Sequence, residues 1–259
     1  MAKAKWKPFP YPDKAYDYAG GALKKNWDRL HRGDCEPYPK DSRVQEAWRA
    51  YHRGDFAEAV ALGLESGGAG ITVANKARSI YANGVEAKAE QRMALFQESM
   101  EQAEEQTAAE PRNPNAHYQF AYAAGRYSQG ISVAKALAQG LGGRIRAALE
   151  ATLKLAPKHA EAHIAMGTYH AEIIDKVGAL VGGLTYGAKK EAGEEHFRKA
   201  LKLMPDSAIA HVEFANGLVM MHGKKAVADA SALYMKAAAL EPRDAMERLD
   251  VEAAKAEIA

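Results

Sequence analysis

Three histidines in this chain recur in one setting: Ala116-His117, Ala162-His163 and Ala210-His211, each near the start of a stretch with helical periodicity. Imidazole both moves protons near neutrality and ligates metals, so a shared centre is the first chemistry to consider. The pairs sit at 117, 163 and 211, spaced 46 and 48 residues apart, which gives each histidine its own helix pair. Packed helices stand roughly 8–10 Å apart, so three such rings do not converge on one ion. The expectation is a half-buried histidine hydrogen-bonded to backbone or carboxylate. His159, His163 and His170 come nearer to a ligand set, because positions four and seven apart can share a helix face. His159 falls at a helix start, however, and no cysteine or acidic pair completes a closed site. No metal and no cofactor are expected.

Nucleophilic chemistry is as sparsely furnished. The chain has no G-x-S-x-G and no G-x-x-x-x-G-K-[ST], so neither a serine-hydrolase elbow nor a phosphate loop is present. Cys35 lies between turn residues with His31 one helical turn earlier, a spacing at which a Cys–His nucleophile pair is conceivable. The glycines at Gly140, Gly142, Gly143, Gly182 and Gly183 lack a flanking strand, which argues against a dinucleotide site. His-Arg-Gly-Asp occurs twice, at 31–34 and 52–55; Gly33 and Gly54 read as glycines that cap helix ends. The chain reads as non-enzymatic.

Whatever these groups do, helices must position them. Alanine is abundant and β-branched residues are sparse over the 259 residues, which favours helix. A formal charge of +2 is too balanced to point to nucleic acid as the partner. Cys35 is the single cysteine, so no intrachain disulfide forms. No stretch approaches the roughly 20 apolar residues of a membrane span, and a cytoplasmic protein is expected. Residues 1–12, with Pro8, Pro10 and Pro12 between Trp6, Phe9 and Tyr11, form an extended arm that straps over its own stack or a neighbour's. Asp13 is placed to cap a helix running to about Arg32, and Ser42 to Gln45 has the form of a capping box. Residues 1–41 thus make an arm and first helix, and 42–259 a helical repeat domain.

The repeats are clearest after residue 110. Ala116, His117, Phe120 and Ala121 correspond to Ala162, His163, Met166 and Gly167, and to Ala210, His211, Phe214 and Ala215. Returning helices close on Leu155-Ala156-Pro157, Leu203-Met204-Pro205 and Leu240-Glu241-Pro242. A small residue lets the two helices of a pair approach, large apolar residues fill the gap, and proline stops the second helix.

This pattern resembles the tetratricopeptide repeat, with Phe197, Ala200 and Pro205, and Ala230, Tyr234, Ala237 and Pro242, at the second-helix positions. The likeness covers about 111–242 and part of 43–66. Histidine replaces the usual tryptophan, and the repeats exceed the ordinary length of roughly 34 residues. The excess lies in the connections at 128–143 and 177–187. Such lengthened connections look like the branch that holds the T-components of TRAP transporters and the regulators of microtubule dynamics. The resemblance implies an all-α, right-handed solenoid of antiparallel helix pairs, about six in number, whose first helices line a concave groove. By alignment the groove residues are Tyr118, Tyr122, Ile164, Thr168, Val212 and Asn216. A peptide-carboxylate clamp of the family needs lysine beside Asn216, and Val212 stands there instead. An aromatic and apolar groove suits a partner helix, an apolar small molecule or the chain's own arm.

The connections are too apolar to hang in water as loops. They either fold back as short helices or meet another protomer, with Leu180, Val181, Leu184 and Tyr186 as the subunit-contact candidates. The expected function is a scaffold for protein–protein interaction or self-assembly. The alternative is a small-molecule or lipid-binding protein with its pocket between the long connections and the groove.

Overall fold

The computed structural model describes residues 6–259; residues 1–5 of the arm lie outside them. Fourteen α-helices follow one another among the described residues, with no strand. After α1 (Ala22–Leu30) come five antiparallel pairs: α2 (Ser42–Arg53) with α3 (Phe56–Ser66), α4 (Ala69–Gly84) with α5 (Ala89–Ala109), α6 (Pro114–Gln129) with α8 (Leu141–Leu155), α9 (Ala160–Val177) with α11 (Lys190–Leu203), and α12 (Ala208–His222) with α13 (Val227–Ala238). Short α7 (Val133–Ala138) and α10 (Ala179–Tyr186) occupy the two long connections, and α14 (Ala245–Glu257) ends the chain. The pairs therefore number five, not six. What would have been a sixth is α1 at one end and α14 at the other.

Caps set where the repeat helices begin. Asn113 accepts from the backbone N–H of Asn115 and Ala116, with Pro114 at the first helical position. Ser207 accepts from Ala210 N–H. In α9 the cap is His159, whose Nδ1 accepts from Ala162 N–H at 3.0 Å. Each cap satisfies a donor that the helix start leaves orphaned. The middle of the stack is fixed by Phe197, which is fully buried and stacks on Phe214 with ring centroids 5.2 Å apart. A Cβ on Gly167 or Gly217 would come within 2.8 or 2.5 Å of that ring, so both glycines are needed for α9 and α12 to close on α11.

Local expectations near the N-terminus need correction. The helix read from Asp13 to Arg32 is broken: a 3-10 turn at Lys14–Tyr16 precedes α1, and Gly20 with φ +57° lies in the gap. Asp41, not Ser42, caps α2 by accepting from Arg43 N–H, while Gln45 donates to Pro39 O instead of returning to the cap. Gly54 has φ +91° and is the helix cap expected. Gly33 is not a cap; its carbonyl accepts from Glu161 N–H at 3.0 Å, and a Cβ there would meet Met204 and Glu161.

The arm lies on its own stack from residue 6 onward. Trp6 stacks on Tyr81 at 4.0 Å, and Phe9 is buried edge-on to Phe56. The C-terminal helix returns to the same end. Tyr18 donates to Arg243 O at 2.7 Å, Arg29 pairs with Glu247 at 2.8 Å, and Tyr51, Trp48 and Ala245 share one apolar cluster. The solenoid is thus closed on itself.

Candidate functional site

Where α14 meets the first pairs, the seam is built from buried charge. Asp34 accepts from His31 Nδ1 at 3.0 Å and from Lys76 Nζ at 2.6 Å, and Lys76 reaches Glu161 at 2.8 Å. His31 and His52 face each other through Nε2 at 3.2 Å, and His52 Nδ1 donates to Asp244 at 2.8 Å. Burial pushes His31 down to about 4 against the pull of Asp34, so that ring is neutral and accepts at Nε2. Burial would raise Asp34, but Lys76 and His31 outweigh it and hold the carboxyl below the usual range. Glu36, pushed up to about 8 by burial and by Asp34, takes a hydrogen bond from Asn115 Nδ2, and Asn115 Oδ1 accepts from His159 Nε2 at 2.9 Å.

These contacts settle where the sequence's chemistry candidates stand. Both nitrogens of His31 are engaged, so no Cys–His pair forms, and burial pushes the Cys35 thiol up. Both nitrogens of His159 are likewise committed. His117 and His163 donate to the carbonyls of Pro111 and Pro157, each six residues back, and His211 to that of Ser207. The repeated histidine ties the start of each first helix to the turn before it.

A different arrangement lies on the concave face. A cavity of about 160 Å³ runs along the inner sides of α6 and α9. Tyr118, Tyr122, Ile164 and Thr168 line it, together with Val133 and Leu137 of α7, Leu141 and Ile145 of α8, Tyr186 of α10, and Met246 and Asp250 of α14. Two of the six expected groove residues are elsewhere. Val212 is buried against Ala208, Val251 and Ala254, and Asn216 accepts from Tyr234 OH, because α12 turns that face to α13 and α14. Ile209 and Glu213 face the cavity in their place. Sequence reasoning missed Arg126, Glu161, Glu213 and Asp250. The available signal was the four-residue spacing of Met246 and Asp250 on α14, which puts both on one face.

The wall is amphipathic. One part holds Arg126, whose guanidinium pairs with Glu213 at 2.6 Å, and Glu161; the other is Val133, Leu137, Ile145, Ile173 and Val177. Burial pushes the Tyr118 and Tyr122 hydroxyls up, so they remain neutral donors. Glu172 pairs with Lys176 at 2.7 Å. Of the subunit-contact candidates, Tyr186 lies on the cavity wall, while Leu180, Val181 and Leu184 on α10 are 75%, 50% and 82% exposed. The connections fold as short helices, one of the two outcomes expected of them, and α10 carries apolar side chains in solvent.

Paired antiparallel helices, small residues at their crossings and a concave inner face define an all-helical solenoid with a tetratricopeptide-like fold. A thermophilic TPR protein of Thermus thermophilus has a similar fold: TM-score 0.58, 17% identity, with 83% of this chain and 97% of that one covered. No curated protein matches the chain. The family model described as Regulator of microtubule dynamics protein 1-3 matches residues 72–256, and the chain belongs to that family. The match begins inside α4 and takes in the cavity, both short helices and α14. No described helix is long and apolar enough to cross a membrane.

Proposed function

We propose that this protein is a non-enzymatic binding module that holds an apolar or amphiphilic small molecule along the inner faces of α6 and α9. The cavity carries this reading: its wall is mostly apolar, and the two lengthened connections that distinguish this chain from ordinary repeats supply part of it. Enclosed apolar sites with few polar groups are the usual form of small-ligand pockets. Native mass spectrometry of the purified protein tests it. A retained small-mass adduct is expected, and Ala165→Trp, which fills the cavity from α9, abolishes it while the helical signal persists. An adduct unchanged in that variant rules the cavity out.

A second reading, a scaffold for a protein partner or for self-assembly, is supported by the exposed Leu180, Val181 and Leu184. Apolar side chains so grouped on one short helix favour a contact. Val181→Glu followed by light scattering separates the two: a folded protein of halved or third mass supports assembly, and unchanged mass leaves the cavity reading alone.

A further inference from the structure

The charges on the cavity wall do not balance. Arg126 is answered by Glu213, Lys176 by Glu172, and Glu161 by Lys76 from α4. Asp250 has no hydrogen bond and no ion pair to any described residue. It stands on α14 one turn after Met246, and both line the cavity. Burial pushes its carboxyl well above the usual aspartate range, and Asp244, Glu247 and Glu161 push further against the opposing Arg126. Asp250 is half-buried, and a carboxyl partly withdrawn from water with no partner is stabilised either by keeping its proton or by gaining a cation.

The cavity also has direction. Glu161 and Val177 are both on its wall, and sixteen steps of 1.5 Å along α9 separate them by roughly 24 Å. Tyr118, Glu161 and Asp250 lie toward one end; Val133, Leu137 and Val177 lie toward the other, where the charges of Glu172 and Lys176 neutralise each other and Val133 and Leu137 are 41% and 49% exposed. The volume of about 160 Å³ is below the roughly 300–1,000 Å³ of drug-sized pockets, which leaves room for the first part of one chain, the remainder lying toward the exposed Val133 and Leu137.

We infer that the ligand is a single-chain amphiphile with a cationic head, its ammonium group paired with Asp250 and its apolar chain laid along α9 toward α7. This rests on the cavity reading above and adds the sign of the head group. An anionic head finds Arg126 already taken by Glu213, and a neutral one gains a hydrogen bond from Asp250 but no ion pair.

Three amphiphiles of one chain length decide it, each titrated below its micelle concentration by calorimetry: dodecylammonium, dodecanol and dodecanoate. Dodecylammonium is expected to bind at least tenfold more tightly than either of the others, and Asp250→Asn to reduce that preference to less than threefold. Equal affinities, a preference for dodecanoate, or a preference that survives Asp250→Asn overturns the inference and leaves the cavity reading standing. Failure of all three to bind the wild-type protein overturns both. Circular dichroism of the variant checks its fold, and the ranking in the wild-type protein stands as a test without it.

Discussion

The seam and the cavity wall both hold carboxylates that are buried or half-buried, and they treat them differently. In the seam, Asp34, Asp244, Glu161 and Glu36 each have a lysine, histidine or amide within hydrogen-bond distance. In the cavity, Asp250 has none among the described residues. A buried charge that is fully paired contributes little net stability but is strongly unfavourable to break, whereas an unpaired one is unfavourable as it stands. Paired charge therefore marks where this fold is locked, and unpaired charge marks where it is incomplete.

The sharpest way to break the contrast is Lys76→Met. It leaves Asp34 and Glu161 both uncompensated, and a loss of roughly 3–5 kcal/mol is expected in urea unfolding. A variant within error of wild type would mean that the seam's ion pairs are incidental. Next is Glu36→Gln. The folded value of Glu36 is raised, so its contribution is fully present below the unfolded glutamate value of about 4.3 and is lost as pH rises through about 8. The variant should lose less stability than wild type between pH 4.5 and 8.5 in otherwise identical melts; parallel curves would reject the assignment. Smallest is Asp250→Asn. Its folded value is also raised, so the unfavourable ionisation is absent below about pH 4 and grows as pH rises. The unliganded variant should melt with wild type at pH 4 and roughly 2 °C above it at pH 8. A lower melting point at pH 8 would show that Asp250 is paired in solution, and the contrast between the two regions would fail.

The helix pairs and their prolines are legible because they obey local rules: caps, small residues at crossings, apolar residues three and four apart. Phe197 is recognisable for that reason, and its truncation to alanine should be as damaging as other core aromatic losses, roughly 3–5 kcal/mol. Tyr234 occupies the matching position one repeat later, yet it is only partly buried and holds Asn216 through its hydroxyl; the loss there should be smaller. The groove is legible in α6 and α9 and fails in α12, where contact with α14 rotates the inner face by one position. Where α14 docks is fixed also by its contacts with α1 and α2 at the far end of the chain, which no local periodicity encodes. The seam is invisible for the same reason: His52 and Asp244 are 192 residues apart. The HRGD repeats, which read as two helix ends, bring His31, Asp34 and His52 into it.

Closure of the solenoid has a consequence for how the chain folds. An open repeat array nucleates anywhere and grows by nearest-neighbour steps, and its ends fray independently. Here Tyr18 meets Arg243 across 225 residues and Tyr51 meets Met246 across 195, so the last helix cannot dock until the first ones are in place. High contact order of this kind slows the final step and couples both termini in one cooperative unit. Amide exchange should therefore find α14 and α2 opening together, where an open array would release its last helix first.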